Sequence, residues 1–66
     1  MRLQQRQRAA EPRVADQGDG WRVIYHPSTR DYDAEITRND QGYIGSKKSC
    51  DAARELIFKT LVPTAA

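Results

Sequence analysis

This 66-residue sequence lacks the features that mark several common protein classes. A single cysteine, Cys50, excludes an internal disulfide framework, and the chain has no CxxC motif or Cys/His cluster of the kind that holds zinc. No apolar run is long enough to cross a bilayer or to form the hydrophobic part of a signal peptide. We therefore expect one cytoplasmic domain, without a membrane segment, metal or cofactor.

An excess of charge of one sign is also missing. Eleven Lys and Arg residues against nine Asp and Glu residues give a net charge of +2. A surface dedicated to nucleic acid is usually more basic than this. The charge is nevertheless unevenly spread, because Arg2, Arg6 and Arg8 precede the first acidic residue. These three arginines form a candidate arm for contacts with phosphate.

The first 20 residues contain few large apolar side chains. They are rich in Gln, Arg, Ala and Asp, and their only larger aliphatic residues are Met1, Leu3 and Val14. Such a segment cannot bury enough apolar surface to offset the entropy lost on ordering. The composition therefore predicts a flexible, disordered arm over residues 1–20, a compact domain over residues 21–62 and a short tail over residues 63–66.

Three short segments of the compact part have strand character. Residues 21–26, 32–38 and 43–45 are rich in aromatic and β-branched residues, and turn-forming residues separate them. In the second segment, Ala34 and Ile36 alternate with acidic residues, which predicts one buried face and one face open to water. The first and third segments would be the sheet edges, so an edge-paired homodimer is a candidate assembly.

The chain after Ser49 predicts an amphipathic helix. The Ser49 hydroxyl can accept a hydrogen bond from the first turn, and Asp51 suits the positive end of the helix dipole. Pro63 cannot continue a helix, so the helix should end near Leu61 or Val62. Two hairpins followed by this helix predict an α+β fold, a three-stranded antiparallel sheet packed on one C-terminal helix. The predicted core consists of Val23, Ala34, Ile36, Ile44, Ala53, Leu56, Ile57 and Leu61, with Trp21 and Tyr25 at its margin.

These segments resemble two families of DNA-binding domain. The sequences Ala34-Glu35-Ile36 and Tyr43-Ile44-Gly45-Ser46, then Ser49 with Ala53, are similar to the strands and helix of AP2-type domains and of the N-terminal arm-binding domain of tyrosine integrases. The resemblance covers residues 21–61 and implies a sheet that lies against duplex DNA. This chain departs from the family pattern at Asp33 and Glu35, whose outward carboxylates repel phosphate.

Two hypotheses of function follow from these patterns. The first is a small non-enzymatic nucleic-acid-binding module, whose sheet and basic arm contact phosphates. The second is a protein-interaction module, such as a phage or mobile-element regulator or inhibitor, that docks through the open sheet face or an edge strand. The candidate contact residues are Arg2, Arg6, Arg8, Arg22, Ile24, His26, Tyr43, Lys47 and Lys48.

No residue is predicted to be catalytic. His26 has no nucleophile or metal partner visible nearby in the sequence, and a surface role before Pro27 is the simpler interpretation. Cys50 lies at a helix N-terminus without a second cysteine, which favours a packing role. A chain of 66 residues also leaves little room for a pocket that excludes water.

Overall fold

The computed structural model describes residues 11–61, which form an α+β domain. One antiparallel sheet with the strand order β1-β2-β3-β4 is covered on one face by a helix, α1, that packs on β2, β3 and β4. This arrangement confirms the antiparallel sheet and the C-terminal helix predicted from the sequence. The four strands and the α-helix are Arg13–Gly18 (β1), Trp21–His26 (β2), Asp31–Ile36 (β3), Gly42–Lys47 (β4) and Cys50–Leu61 (α1), and a single 3-10 turn, Arg38–Asp40, lies between β3 and β4.

The prediction of three strands is wrong, because the sheet has four. The additional strand, β1, lies in the segment that was expected to be flexible, whereas residues 1–10 fall outside the described residues. Five of the six β1 residues are exposed, so the strand has no apolar pattern to reveal it. It is held instead by antiparallel pairing with β2 across a two-residue turn, in which Gly20 takes a φ of 87°.

The fourth strand also changes which strands lie at the edges. β1 pairs with β2 from Arg13↔Tyr25 to Gly18↔Trp21, so β2 becomes an inner strand. The prediction that residues 21–26 form an edge is therefore wrong. Within the described residues, β1 and β4 are the edges, and β4 is twice as long as the three-residue strand that was predicted.

The core lies between the sheet and α1, where the sequence placed it. Its five fully buried side chains are Val23, Ala34, Ile36, Ala53 and Ile57. The other predicted core residues, Ile44, Leu56 and Leu61, are half-buried and pack against these five. At one end of the core the Trp21 ring meets Phe58 edge-on, with 5.3 Å between the ring centroids. Burial of apolar surface between the two layers is the main stabilising contribution.

Two local features fix how α1 meets the sheet. The Ala52 N–H donates a hydrogen bond of 3.1 Å to Ser49 Oγ, which confirms Ser49 as the N-cap. Gly45 allows the helix to approach β4 closely, because a Cβ at that position would lie 2.9 Å from Leu56 Cδ2. Both features hold α1 on one face of the sheet and leave the opposite face open.

Candidate functional site

The open sheet face is the candidate site, and two β-bulges arrange its side chains. In β1, the register shifts between Val14 and Asp16, which makes Ala15 an extra residue. In β4, the register shifts so that Ile44 is extra, because Ala34 pairs with Gly45 while Glu35 pairs with Tyr43. A bulge lets residues three apart share one face, which simple alternation forbids.

The pairing registers place the open-face side chains in two rows across the four strands. Each row takes one residue from every strand, and the two bulges supply the residues from β1 and β4. One row is Val14, Ile24, Asp33 and Ser46, and the other is Gln17, Arg22, Glu35 and Tyr43. His26 extends the open face beyond the first row, at the end of β2.

Asp33 is the centre of a hydrogen-bonded group on this face. His26 Nε2 lies 2.6 Å from Asp33 Oδ2, and the Ser46 hydroxyl donates to Asp33 Oδ1. Tyr43 OH lies 3.0 Å from Ser46 Oγ, so the group reaches from β2 to the edge strand β4. These bonds hold polar side chains of three strands in fixed positions.

Two further arginines in this part of the sheet also have partners. Arg22 Nε donates to Glu35 Oε1 across the β2–β3 pair. The Arg13 guanidinium lies 5.2 Å from the centre of the Tyr25 ring, in a cation–π contact. Arg22 therefore balances Glu35 on the open face, whereas Arg13, opposite Tyr25, lies on the helix side of the sheet and adds no charge to the open face.

Apolar side chains lie exposed among these pairs. Val14 is 46% exposed and Tyr43 is 61% exposed, and half-buried Ile24 lies in the row of Val14. They line an open concavity of ≈ 420 Å³ together with the paired polar groups. An exposed apolar centre within a rim of paired polar groups is the usual anatomy of a protein–protein contact surface.

The structure brings together four of the predicted contact residues and separates the others. Arg22, Ile24, His26 and Tyr43 all line the concavity. Lys47 pairs with Tyr32 in register, which places it on the helix side, where it neighbours Leu56 and other α1 residues.

The other predicted basic contacts lie away from the concavity or outside the described residues. Lys48 Nζ lies 2.6 Å from Asp31 Oδ1, and this hydrogen bond, followed by one from Thr29, lowers the pKa of Asp31 below 3.8. Arg2, Arg6 and Arg8 are outside the described residues. The predicted contacts therefore do not form one basic surface.

Sequence reasoning missed the ion pair that joins β1 to the helix. Arg54 NH1 lies 2.7 Å from Asp16 Oδ2, and Arg54 also bonds the Asp51 carboxylate. The hydrogen bond from Arg54 lowers the pKa of Asp16 below 3.8, and the same bond raises the pKa of Arg54. No local sequence pattern indicates this pair, because Asp16 and Arg54 are 38 residues apart in the chain.

The arrangement of His26, Asp33 and Ser46 differs from that of a nucleophilic triad. In such a triad the imidazole bonds the hydroxyl and the carboxylate orients the imidazole. Here the carboxylate of Asp33 lies between the other two groups and accepts the Ser46 hydroxyl itself. The imidazole of His26 is therefore not placed on the Ser46 hydroxyl as a nucleophilic triad requires, and the bonds hold the three side chains in fixed positions.

The described residues and the known proteins add three negative findings. From Glu11 to Leu61, no group of three or more His, Cys, Asp or Glu side chains has the geometry to hold a metal ion. The part of the chain with described structure has no helix that is both long and apolar enough to traverse a bilayer. Comparison of the chain with protein-family models, curated proteins and solved structures gives no match.

Proposed function

We propose that this domain is a small, non-enzymatic protein-interaction module that docks a partner protein on its open sheet face. The partner presents an apolar side chain to the concavity between Val14, Ile24 and Tyr43. Polar groups around that side chain meet the paired charges of the rim. A regulator or inhibitor that acts by binding another protein needs nothing more than such a face.

The observation that supports this proposal most is the pairing of the charges around the exposed apolar centre. Arg22 is bonded to Glu35, and Asp33 accepts from Ser46 and lies next to His26. Glu35 offsets the charge of Arg22, and the carboxylates of Asp33 and Glu35 repel a phosphate that approaches this face. A partner protein can instead use the apolar centre directly and leave the pairs intact.

The distribution of charge over the whole chain points the same way. Residues 11–61 contain eight basic and nine acidic residues, a net charge of −1. The positive net charge of the chain is therefore due to Arg2, Arg6 and Arg8, and not to the domain that carries the open face. Non-specific attraction to a nucleic acid depends on an excess of positive charge, which this domain lacks.

Nucleic-acid binding, which the AP2-like resemblance implies, remains the competing proposal. In that case Arg22, Lys47 and Lys48, together with the arm of Arg2, Arg6 and Arg8, would supply the phosphate contacts. The double change Lys47→Ala with Lys48→Ala would then weaken binding on all sequences alike, and so would deletion of residues 1–10. The double change Asp33→Asn with Glu35→Gln would strengthen binding, because it removes repulsion and releases Arg22 from Glu35.

Affinity capture from the source cells, followed by titration of the purified captured protein, tests the proposal. Tyr43→Ala removes the most exposed apolar contact of the open face and should raise the Kd about tenfold or more. Phe58→Ala is the matched control, because Phe58 is an exposed aromatic residue on α1, on the other side of the sheet. It should leave the Kd within about twofold.

A mobility-shift assay with duplex DNA at two salt concentrations separates the two proposals. We expect no shift at about 50 mM or about 200 mM salt, conditions between which phosphate-driven binding falls steeply. A shift at low salt that disappears at high salt, together with a captured protein that binds the Tyr43→Ala variant normally, would contradict the docking proposal and support the nucleic-acid one.

A further inference from the structure

We infer that β1 is a self-association edge, through which two copies of this chain pair into one eight-stranded antiparallel sheet. This inference concerns an edge strand of the sheet and does not depend on which molecule the open face binds. The occupant of the edge is a second copy of β1, related to the first by a two-fold axis perpendicular to the sheet.

The first observation is that β1 is the least covered strand of the domain. Five of its six residues are exposed, and Asp16 alone is half-buried. The helix packs on β2, β3 and β4, and the ion pair between Asp16 and Arg54 ties β1 to it. An edge strand presents backbone donors and acceptors along its outer side, and pairing with another strand satisfies them.

The second observation is a charge pattern that the β-bulge creates. Arg13 lies opposite Tyr25 and Asp16 lies opposite Val23, so both side chains are on the helix side of the sheet. Without the extra residue Ala15, residues three apart would point to opposite faces. The bulge therefore places a cation and an anion on one face of the edge strand, three residues apart.

This pattern is complementary to itself when two strands run antiparallel. A two-fold axis near Ala15 brings Arg13 of each copy beside Asp16 of the other, on the same face of the sheet. Two symmetry-related ion pairs then form at once, and Asp16 joins the partner's Arg13 to its own Arg54. Opposite charges across adjacent strands stabilise such pairing, whereas like charges oppose it.

The other face of the paired edge is compatible with the same arrangement. Val14 lies opposite Ile24 and Gln17 lies opposite Arg22, so both β1 residues are on the open face. Val14 lies next to the axis that pairs Arg13 with Asp16, so the 46%-exposed Val14 side chains of the two copies meet on the open face and gain cover. The two open faces then lie side by side on one surface of the assembly.

Sedimentation equilibrium of the full chain, from about 10 µM to about 1 mM, tests the inference, because a contact of this small size gives a weak dimer. We expect a monomer–dimer equilibrium in that range. Arg13→Glu should raise the dimer Kd about tenfold, because it replaces two attractive pairs by two repulsive ones. Lys59→Glu changes the net charge equally on exposed α1 surface and should leave the Kd within about twofold.

Hydrogen exchange of the unchanged chain locates the contact without any substitution. The β1 amides should exchange more slowly at high protein concentration than at low concentration, whereas the β4 amides should not change. A chain that stays monomeric at about 1 mM would overturn the inference. So would a dimer that protects β4 instead of β1, or equal effects of Arg13→Glu and Lys59→Glu.

Discussion

The two faces of the sheet are built from the same strands and have opposite character. On the covered face, Val23, Ala34 and Ile36 are fully buried under α1. On the open face, alternate residues of the same two strands, such as Arg22 and Glu35, form polar pairs in water. Side-chain alternation along a strand separates the two sets completely.

This difference teaches that the burial that stabilises the fold and the surface that we propose for docking use different residues of the same elements. The covered face supplies the apolar burial that holds a domain this small together. The open face can therefore change its polar pairs and exposed apolar residues with little effect on the fold. Substitutions on the two faces should then separate into those that affect stability and those that affect docking.

The largest expected effect comes from truncation on the covered face. Ile57 is fully buried, so Ile57→Ala should lower the free energy of unfolding by about 2–5 kcal/mol, which is much of the stability of such a domain. Leu56 is only half-buried, and Leu56→Ala should cost less. Urea denaturation followed by Trp21 fluorescence measures both. Equal costs for the two variants would show that the helix face is wrongly assigned.

A smaller effect is expected where the helix approaches β4. Gly45→Ala would place a methyl group 2.9 Å from Leu56 Cδ2, so the Leu56 side chain or one of the two elements has to shift. We expect a loss of about 1–3 kcal/mol in the free energy of unfolding.

The double variant of Gly45→Ala with Leu56→Ala is the matched control for this contact. Truncation of Leu56 provides space for the new methyl group, so Gly45→Ala should cost less in that background than in the unchanged chain. If the losses in the free energy of unfolding of the two single variants simply add in the double variant, a steric clash is not the reason for the effect of Gly45→Ala. The backbone conformation of Gly45 would then be its cause.

The smallest expected change in stability concerns the ion pair between Asp16 and Arg54, which joins the edge strand β1 to α1. The hydrogen bond from Arg54 lowers the pKa of Asp16 in the folded chain. The ionised carboxylate therefore stabilises the fold fully at pH values above about 3.9, the pKa of an aspartate in the unfolded chain. This stabilisation is lost as the pH falls through the lower, folded value. The Asp16→Asn variant should therefore be less stable than the unchanged chain at neutral pH. Its stability should also fall less than that of the unchanged chain when the pH is lowered.

Melting curves between about pH 7 and about pH 2 measure this dependence. Asp19→Asn is the control, because the Asp19 side chain is fully exposed and lies 3.6 Å from its partner Arg38. Asp19→Asn should follow the unchanged chain across the pH range. Identical pH profiles for Asp16→Asn and the unchanged chain would show that the pair with Arg54 contributes nothing.

The covered face was predictable from the sequence because burial leaves a pattern. Ala34 and Ile36 alternate with acidic residues along β3, and Ser49 precedes apolar residues at helical spacing. These two signals located the core, the helix start and the open face on β2 and β3. The function of the open face remains a proposal, since alternation shows where a face lies and not what it binds.

The edge strand β1 was not predictable in the same way, because it buries little. β1 has no apolar alternation, and its one signal is the turn sequence Asp19-Gly20 just before Trp21, which is typical of a hairpin. The two bulges decide that Val14 and Ser46 join the open face. Gly45, within β4, is a recognised sign of a bulge, whereas Ala15 in β1 carries no such sign.

The most direct test of the proposal that the open face is the recognition surface is amide chemical-shift mapping. The partner protein obtained by affinity capture is titrated into the isotope-labelled, unchanged chain. We expect the perturbed resonances to belong to the two open-face rows, centred on Val14, Ile24 and Tyr43, and the resonances of α1 to stay in place. Perturbations concentrated on the exposed side of α1, around Phe58 and Lys59, with an unchanged open face would contradict this proposal.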